Sequence, residues 1–109
     1  MGGSAGKPLS SKTQSQIASF INDNKVAVIS KSYCPYCTRA KQALSKVYPN
    51  YKVIEIENNP ECQAIQDYMS QLTGGRSVPR VFINGKFLGG GDETAAALRS
   101  GKLAELINQ

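Results

Sequence analysis

The apolar run Val26-Ala27-Val28-Ile29 leads within a few residues into Cys34-Pro35-Tyr36-Cys37, and the stretch 39–47 behind it carries apolar side chains at helical spacing. A short, unbroken apolar run reads as a strand buried on both faces, while Ala40, Ala43, Leu44 and Val47 make one stripe of an amphipathic helix. Two thiols therefore stand at the junction of a buried strand and a helix. A strand covered on both faces calls for helices above and below its sheet, which is the signature of an α/β domain.

The rest of the chain supplies those layers. Ile17, Phe20 and Ile21 follow helical spacing and predict a first helix that ends near Asn22-Asp23-Asn24, residues that prefer turns. Pro49 stops the helix that follows the cysteines. Val53, Ile54 and Ile56, with Glu55 and Glu57 between and after them, predict a second strand. Asn59-Pro60 is expected to be a cap and first helical position of a third helix, with Ile65, Tyr68, Met69 and Leu72 on its inner face and Gly74-Gly75 at its end. Asn84-Gly85 between Arg80-Val81-Phe82-Ile83 and Lys86-Phe87-Leu88 predicts a hairpin with a type I′ turn. Asp92 is expected to cap a final helical region whose apolar side chains are Ala96, Leu98, Leu103, Leu106 and Ile107. The order is α-β-α-β-α-β-β-α. It implies one four-stranded mixed sheet with helices on both faces, a right-handed crossover joining the first two strands in parallel, and an antiparallel hairpin completing it.

A chain of 109 residues supports one domain able to bury a core without crosslinks, so its cysteines are free for chemistry. Residues 12–109 are assigned to that domain. Residues 1–11, with Gly2-Gly3-Ser4-Ala5-Gly6, are expected to be a disordered tail, either an expression scar or the remnant of a clipped targeting segment. Three cysteines is an odd number, and the first residues hold no apolar core of a secretory signal. A reducing, cytoplasmic setting follows as the expectation, with an organellar address left open. No run approaches membrane-spanning length, and position 6 is Gly where a myristoylation signal needs Ser or Thr. The net charge of +5 is spread over basic residues no two of which are adjacent, so no nucleic-acid partner is expected. Histidine is absent, which removes a Cys-His dyad and most zinc sites; no metal is expected.

Within the Cys-x-x-Cys pair the two sulfurs are not equivalent. Cys34 lies just before the helix, where free N–H groups and the macrodipole favour an anion, and Cys37 lies a turn inside and more shielded. Cys34 is expected to carry the thiolate. A thiolate of low basicity is also a good leaving group, which suits a carrier that must be discharged in every cycle. Lys31 is the nearest cation to it in the sequence.

These residues together resemble the dithiol glutaredoxins. Lys31-Ser32-Tyr33-Cys34-Pro35-Tyr36-Cys37, Ser77-Val78-Pro79-Arg80-Val81-Phe82-Ile83-Asn84-Gly85 and Gly89-Gly90-Gly91-Asp92 match that family's three blocks in order and spacing, and the likeness runs over about 13–108. The resemblance implies a thioredoxin fold, in agreement with the element order above. It implies a glutathione-dependent thiol-disulfide oxidoreductase acting as a monomer on glutathionylated proteins and protein disulfides, with Cys34 as nucleophile and Cys37 as resolving thiol. Position by position, it implies that Val78 pairs its backbone with the cysteine of glutathione beside a cis bond at Pro79. Taken alone, Pro79 reads as a trans proline opening an edge strand. It further implies that Lys31, Gln66 and Arg76 hold the glycine carboxylate, that Tyr36 forms a wall, and that Gly91, Asp92 and Glu93 grip the γ-glutamyl end. Ser77 stands where the family usually has Thr. Cys62 matches no catalytic position and is expected to be a semi-buried bystander. Absence of Trp sets the chain apart from thioredoxins, which carry one before the first cysteine, and Tyr33 stands there instead. An iron-sulfur carrier bridged through Cys34 and external glutathione is the alternative, and Pro35 counts against it, because cluster-binding members tend to have a smaller residue at that place.

Overall fold

A computed structural model describes residues 8–109. The elements, in chain order, are α1 (Ser11–Asp23), β1 (Val26–Ser30), α2 (Pro35–Val47), β2 (Lys52–Glu55), α3 (Cys62–Thr73), β3 (Arg80–Ile83), β4 (Lys86–Gly89), α4 (Gly91–Ser100) and α5 (Lys102–Ile107). The sheet runs β2-β1-β3-β4; β1 and β2 are parallel, and the other neighbours are antiparallel. All five residues of β1 are buried, which is why it sits inside the sheet, whereas β2 at the edge is largely exposed.

Alternation along the strands divides the core into two layers. Val26 and Val28 of β1, with Val81 and Ile83 of β3, pack under Ala40 and Leu44 of α2 and Leu103 and Ile107 of α5. Ala27, Ile29 and Phe82 face the opposite way, onto Ile17 and Ile21 of α1 and Ile65 and Met69 of α3. The architecture is thus the expected α/β mixed sheet covered on both faces. The hairpin turn is also as expected: Asn84 and Gly85 both adopt positive φ, 52° and 80°, as a type I′ turn requires.

Several local expectations are corrected. Strand β2 stops at Glu55, and Ile56 lies beyond it although its side chain is fully buried and its N–H donates to the Ser30 carbonyl at 2.9 Å. Helix α3 starts at Cys62 rather than at Asn59-Pro60, because the Asn59 carboxamide oxygen accepts from the Glu61 N–H at 2.7 Å and closes a turn instead. The last helical region is broken in two at Gly101, whose φ of 83° ends α4 in a left-handed cap. Leu72 is 50 % exposed and Ala96 is exposed, while Ala95 and Ala97 are buried. Ordered packing begins earlier than residue 12. Ser10 caps α1 by accepting from the Thr13 N–H, and its own N–H donates to the Glu61 carboxylate at 2.8 Å. The glycine-rich stretch 2–6 lies outside the described residues.

Candidate active site

Cys34 is the N-cap of α2 and makes no side-chain capping bond, and Pro35, which has no N–H to satisfy, occupies the first helical position. The helix therefore presents its positive end to the Cys34 sulfur without a competing cap. Cys34 is half-buried and Cys37 is 0 % exposed; both are unbridged thiols. Burial pushes the Cys37 thiol up from its ordinary value, against the opposing pull of the Lys31 N–H, which donates to its sulfur at 3.4 Å, and of the Ser30 hydroxyl. Lys31 also accepts from the Cys34 N–H at 3.2 Å. Its main chain thus touches both cysteines, one through each end of the residue.

A groove of about 250 Å³ opens beside this helix end, lined by Tyr36, Ser77, Val78, Pro79, Gly90, Gly91, Asp92 and Glu93. The Val78–Pro79 bond is cis, and the Val78 carbonyl accepts from the Cys34 thiol at 3.8 Å. The far wall is the start of α4. A Cβ built on Gly91 would stand 2.6 Å from the Tyr36 carbonyl oxygen, so only glycine lets α4 come this close to α2. Gly90, not Asp92, is the N-cap of α4, and Glu93 reaches back to accept from the Gly90 N–H at 2.7 Å. Asp92 is instead paired with Arg39 of α2 at 3.2 Å across the groove's rim. Tyr36 is 55 % exposed over the groove, and Tyr33, on the other side of Cys34 in the chain, is 71 % exposed.

Cys34, Tyr36, Val78, Pro79, Gly91, Asp92 and Glu93 are thus brought together. Gln66 and Arg76 form a separate pair behind the loop that leads to Val78. The Gln66 side chain is only 6 % exposed; its amide donates to the Arg76 carbonyl at 2.8 Å and its oxygen accepts from the Cys62 thiol at 3.6 Å. The carboxamide is thus engaged with the Arg76 main chain and the Cys62 thiol. The Arg76 guanidinium in turn rests on Asp67 at 3.2 Å and on the Gln63 side chain at 2.8 Å. Cys62 is half-buried.

Other participants escaped the sequence reading. Ser77 and Gly90 line the groove, and both lay inside the three quoted blocks, so their neighbourhood was the available signal. Arg39, which pairs with Asp92, and Glu57, which accepts hydrogen bonds from the Ser32 N–H and hydroxyl in the loop before Cys34, carry no local sign of those partners. Among the described residues, no group of three or more His, Cys, Asp or Glu side chains is arranged to hold a metal ion, and no helix is long and apolar enough to cross a membrane.

A mixed sheet layered between helices, with a Cys-x-x-Cys pair at a helix start facing a cis-proline loop, defines a thiol-disulfide oxidoreductase of the thioredoxin fold. The family model named Glutaredoxin matches residues 26–88. Glutaredoxin-C8 of Oryza sativa subsp. japonica is 43 % identical over 108 residues, covering 97 % of this chain and 79 % of that protein. The mitochondrial glutaredoxin-2 of Pongo abelii is 43 % identical over 94 residues, 86 % of this chain and 58 % of that protein. Among solved structures, the oxidized glutaredoxin 2 of Chlamydomonas reinhardtii superposes with a TM-score of 0.84 at 53 % identity, covering 89 % of this chain and 92 % of that one. A buckwheat glutaredoxin-glutathione complex superposes with a TM-score of 0.82 at 36 % identity, covering 89 % and 88 %. The chain belongs to the glutaredoxin family and is an oxidoreductase of that family.

Proposed function

We propose that the protein removes glutathione from mixed disulfides through Cys34 and reduces protein disulfides by a second route that also uses Cys37. The observation that carries this reading is the inequality of the two sulfurs: Cys34 is half-buried at a helix N-terminus, 3.8 Å from the carbonyl of the groove residue Val78, while Cys37 is fully buried and its thiol is pushed up by that burial. In the first route the Cys34 thiolate attacks the glutathione sulfur of a mixed disulfide. The protein thiolate leaves and takes up a proton, and glutathione is now bonded to Cys34. A second glutathione thiolate attacks that glutathione sulfur, forming glutathione disulfide and returning the Cys34 thiolate. A protonated Cys37 is a poor nucleophile, so its attack on the Cys34–glutathione bond is slowed and a second glutathione can arrive first. In the second route Cys34 attacks one sulfur of a protein disulfide. Cys37 then loses its proton and attacks the Cys34 sulfur, releasing the substrate's second thiol and leaving a Cys34–Cys37 disulfide, which two glutathione molecules reduce.

The groove suits a ligand with two carboxylates and one ammonium. The first-turn N–H groups at Gly91 and Asp92 offer an anion site, and the carboxylates of Asp92 and Glu93 offer a cation site beside it. Lys31 and Arg76 supply positive charge for the glycine end, with Gln66 fixing Arg76, while Tyr36 walls the tripeptide and Val78 pairs with its backbone. All these groups come from one chain, so a monomer suffices. The buckwheat complex supports glutathione as the ligand.

The test is glutathione-coupled turnover of a glutathionylated peptide. Cys37→Ser is expected to keep it, and Cys34→Ser to abolish it; equal loss in both variants refutes the division of roles. The iron-sulfur alternative predicts visible absorption after purification without oxygen, and Pro35 at the first position of α2 leads us to expect a colourless protein.

A further inference from the structure

Four consecutive carbonyls between α3 and β3 accept hydrogen bonds from side chains. Thr73 donates to Gly75 at 3.1 Å, Gln66 to Arg76 at 2.8 Å, Arg80 to Ser77 at 2.7 Å and Cys34 to Val78 at 3.8 Å. Outside the helices and ladders, no main-chain N–H among the described residues donates to any of them. Three of these donors, Thr73, Gln66 and Arg80, hold the loop whether or not Cys34 carries its proton. Arg80 makes the strongest of these grips. Its Nε holds the Ser77 carbonyl and a terminal nitrogen holds the Ser77 hydroxyl at 3.0 Å, a two-pronged, charge-assisted contact. The guanidinium is itself fixed from behind. It lies 5.1 Å from the centre of the Phe87 ring, and its terminal nitrogen fills the space where a Cβ on Gly75 would stand at 2.3 Å.

In a trans peptide the C=O and N–H point in opposite directions across one plane. The Ser77 carbonyl and the Val78 N–H share such a plane, since the only cis bond among the described residues is the next one. Holding the Ser77 oxygen on Arg80, which does not line the groove, turns the Val78 N–H to the opposite side, where Ser77 and Val78 do line it. We infer that Arg80 is a positioning residue for glutathione: it touches no ligand, and it aims the Val78 amide that pairs with the tripeptide. The inference rests on the function proposed above. A lysine offers one compact ammonium in place of a planar fork and can satisfy only part of this grip.

The experiment measures kcat and the KM for a glutathionylated peptide at saturating glutathione, and the rate at which iodoacetamide alkylates Cys34, in wild type, Arg80→Met and Arg80→Lys. Arg80→Met keeps the apolar stem over Phe87 and is expected to raise the KM about tenfold. Its kcat at saturating peptide and glutathione and its alkylation rate are expected to stay within about twofold of wild type, and Arg80→Lys to recover part of the KM. An unchanged KM in Arg80→Met overturns the inference while leaving the proposed function intact. A rise in KM accompanied by an equal loss of alkylation also overturns it, because it shows a general distortion of the Cys34 site. If wild type itself does not turn over the glutathionylated peptide, the proposed function fails and the inference with it. Should Arg80→Met melt below the assay temperature, Arg80→Lys carries the same comparison with a smaller rise.

Discussion

Cys37 shows how one buried atom links chemistry to stability. Burial raises its pKa in the folded state, so the protonated thiol stabilises the fold. That contribution is complete below the ordinary thiol value of about 8.5 and drains away as pH rises through the higher folded value. Denaturant unfolding of the reduced protein between about pH 8 and pH 10 is therefore expected to show a steeper loss of stability in wild type than in Cys37→Ser. Parallel curves would exclude a burial effect at this position. At the same scale, the inequality of the two cysteines was legible from their place at a strand-helix junction, because helix polarity and depth follow from local order. The amide of Gln66 was not legible in this way. Nothing near it in the chain indicates that it bonds to the Arg76 carbonyl and the Cys62 thiol.

Helix α4 approaches α2 through a glycine, and the groove exists because of that approach. Gly91→Ala inserts a methyl group where the Tyr36 carbonyl stands, and backbone cannot yield as a flexible side chain does. A destabilisation of about 1–3 kcal/mol is expected, with loss of turnover on glutathionylated peptide as α4 is pushed from Tyr36. A wild-type melting curve together with wild-type turnover in Gly91→Ala would show that the two helices are not in register-critical contact. Element ends were the weakest part of the sequence reading for the same reason. Asp92 has the side chain of a cap, but Arg39 draws it to the rim, and Glu93 reaches back to serve Gly90 in its place. Leu72 continues the apolar spacing of α3 but is left half exposed, and spacing along one helix carries no information about which of its turns a neighbour covers.

Across the whole molecule, Glu61 ties the start of α1 to the turn before α3. Its carboxylate accepts from the Thr13 hydroxyl and from the N–H and hydroxyl of Ser10, and these bonds, the Thr13 hydroxyl first, hold it below the ordinary carboxylate range. A carboxylate whose folded pKa is lowered stabilises the fold above its unfolded value of about 4.3, and the effect is lost as pH falls through the folded value. Glu57, lowered by the Ser32 hydroxyl, acts in the same sense on the loop before Cys34. Thermal unfolding between about pH 5 and pH 3 is expected to fall less steeply in Glu61→Gln than in wild type. An acid limb identical in both proteins would remove Glu61 from the account.

The order of elements, the buried central strand, the hairpin at Asn84-Gly85 and the placement of the thiols at a helix start were all determined by local chemistry: apolar period, turn residues and helix polarity act over a few residues and can be read one segment at a time. Folding alone decided which side chains meet across the chain. The Gly91–Tyr36 approach, the Arg39–Asp92 pair and the grip of Arg80 on Ser77 join segments, or fix orientations, that depend on how the layers close. A hydrogen bond or a close contact is a property of two positions in space, and only the packed molecule supplies the second.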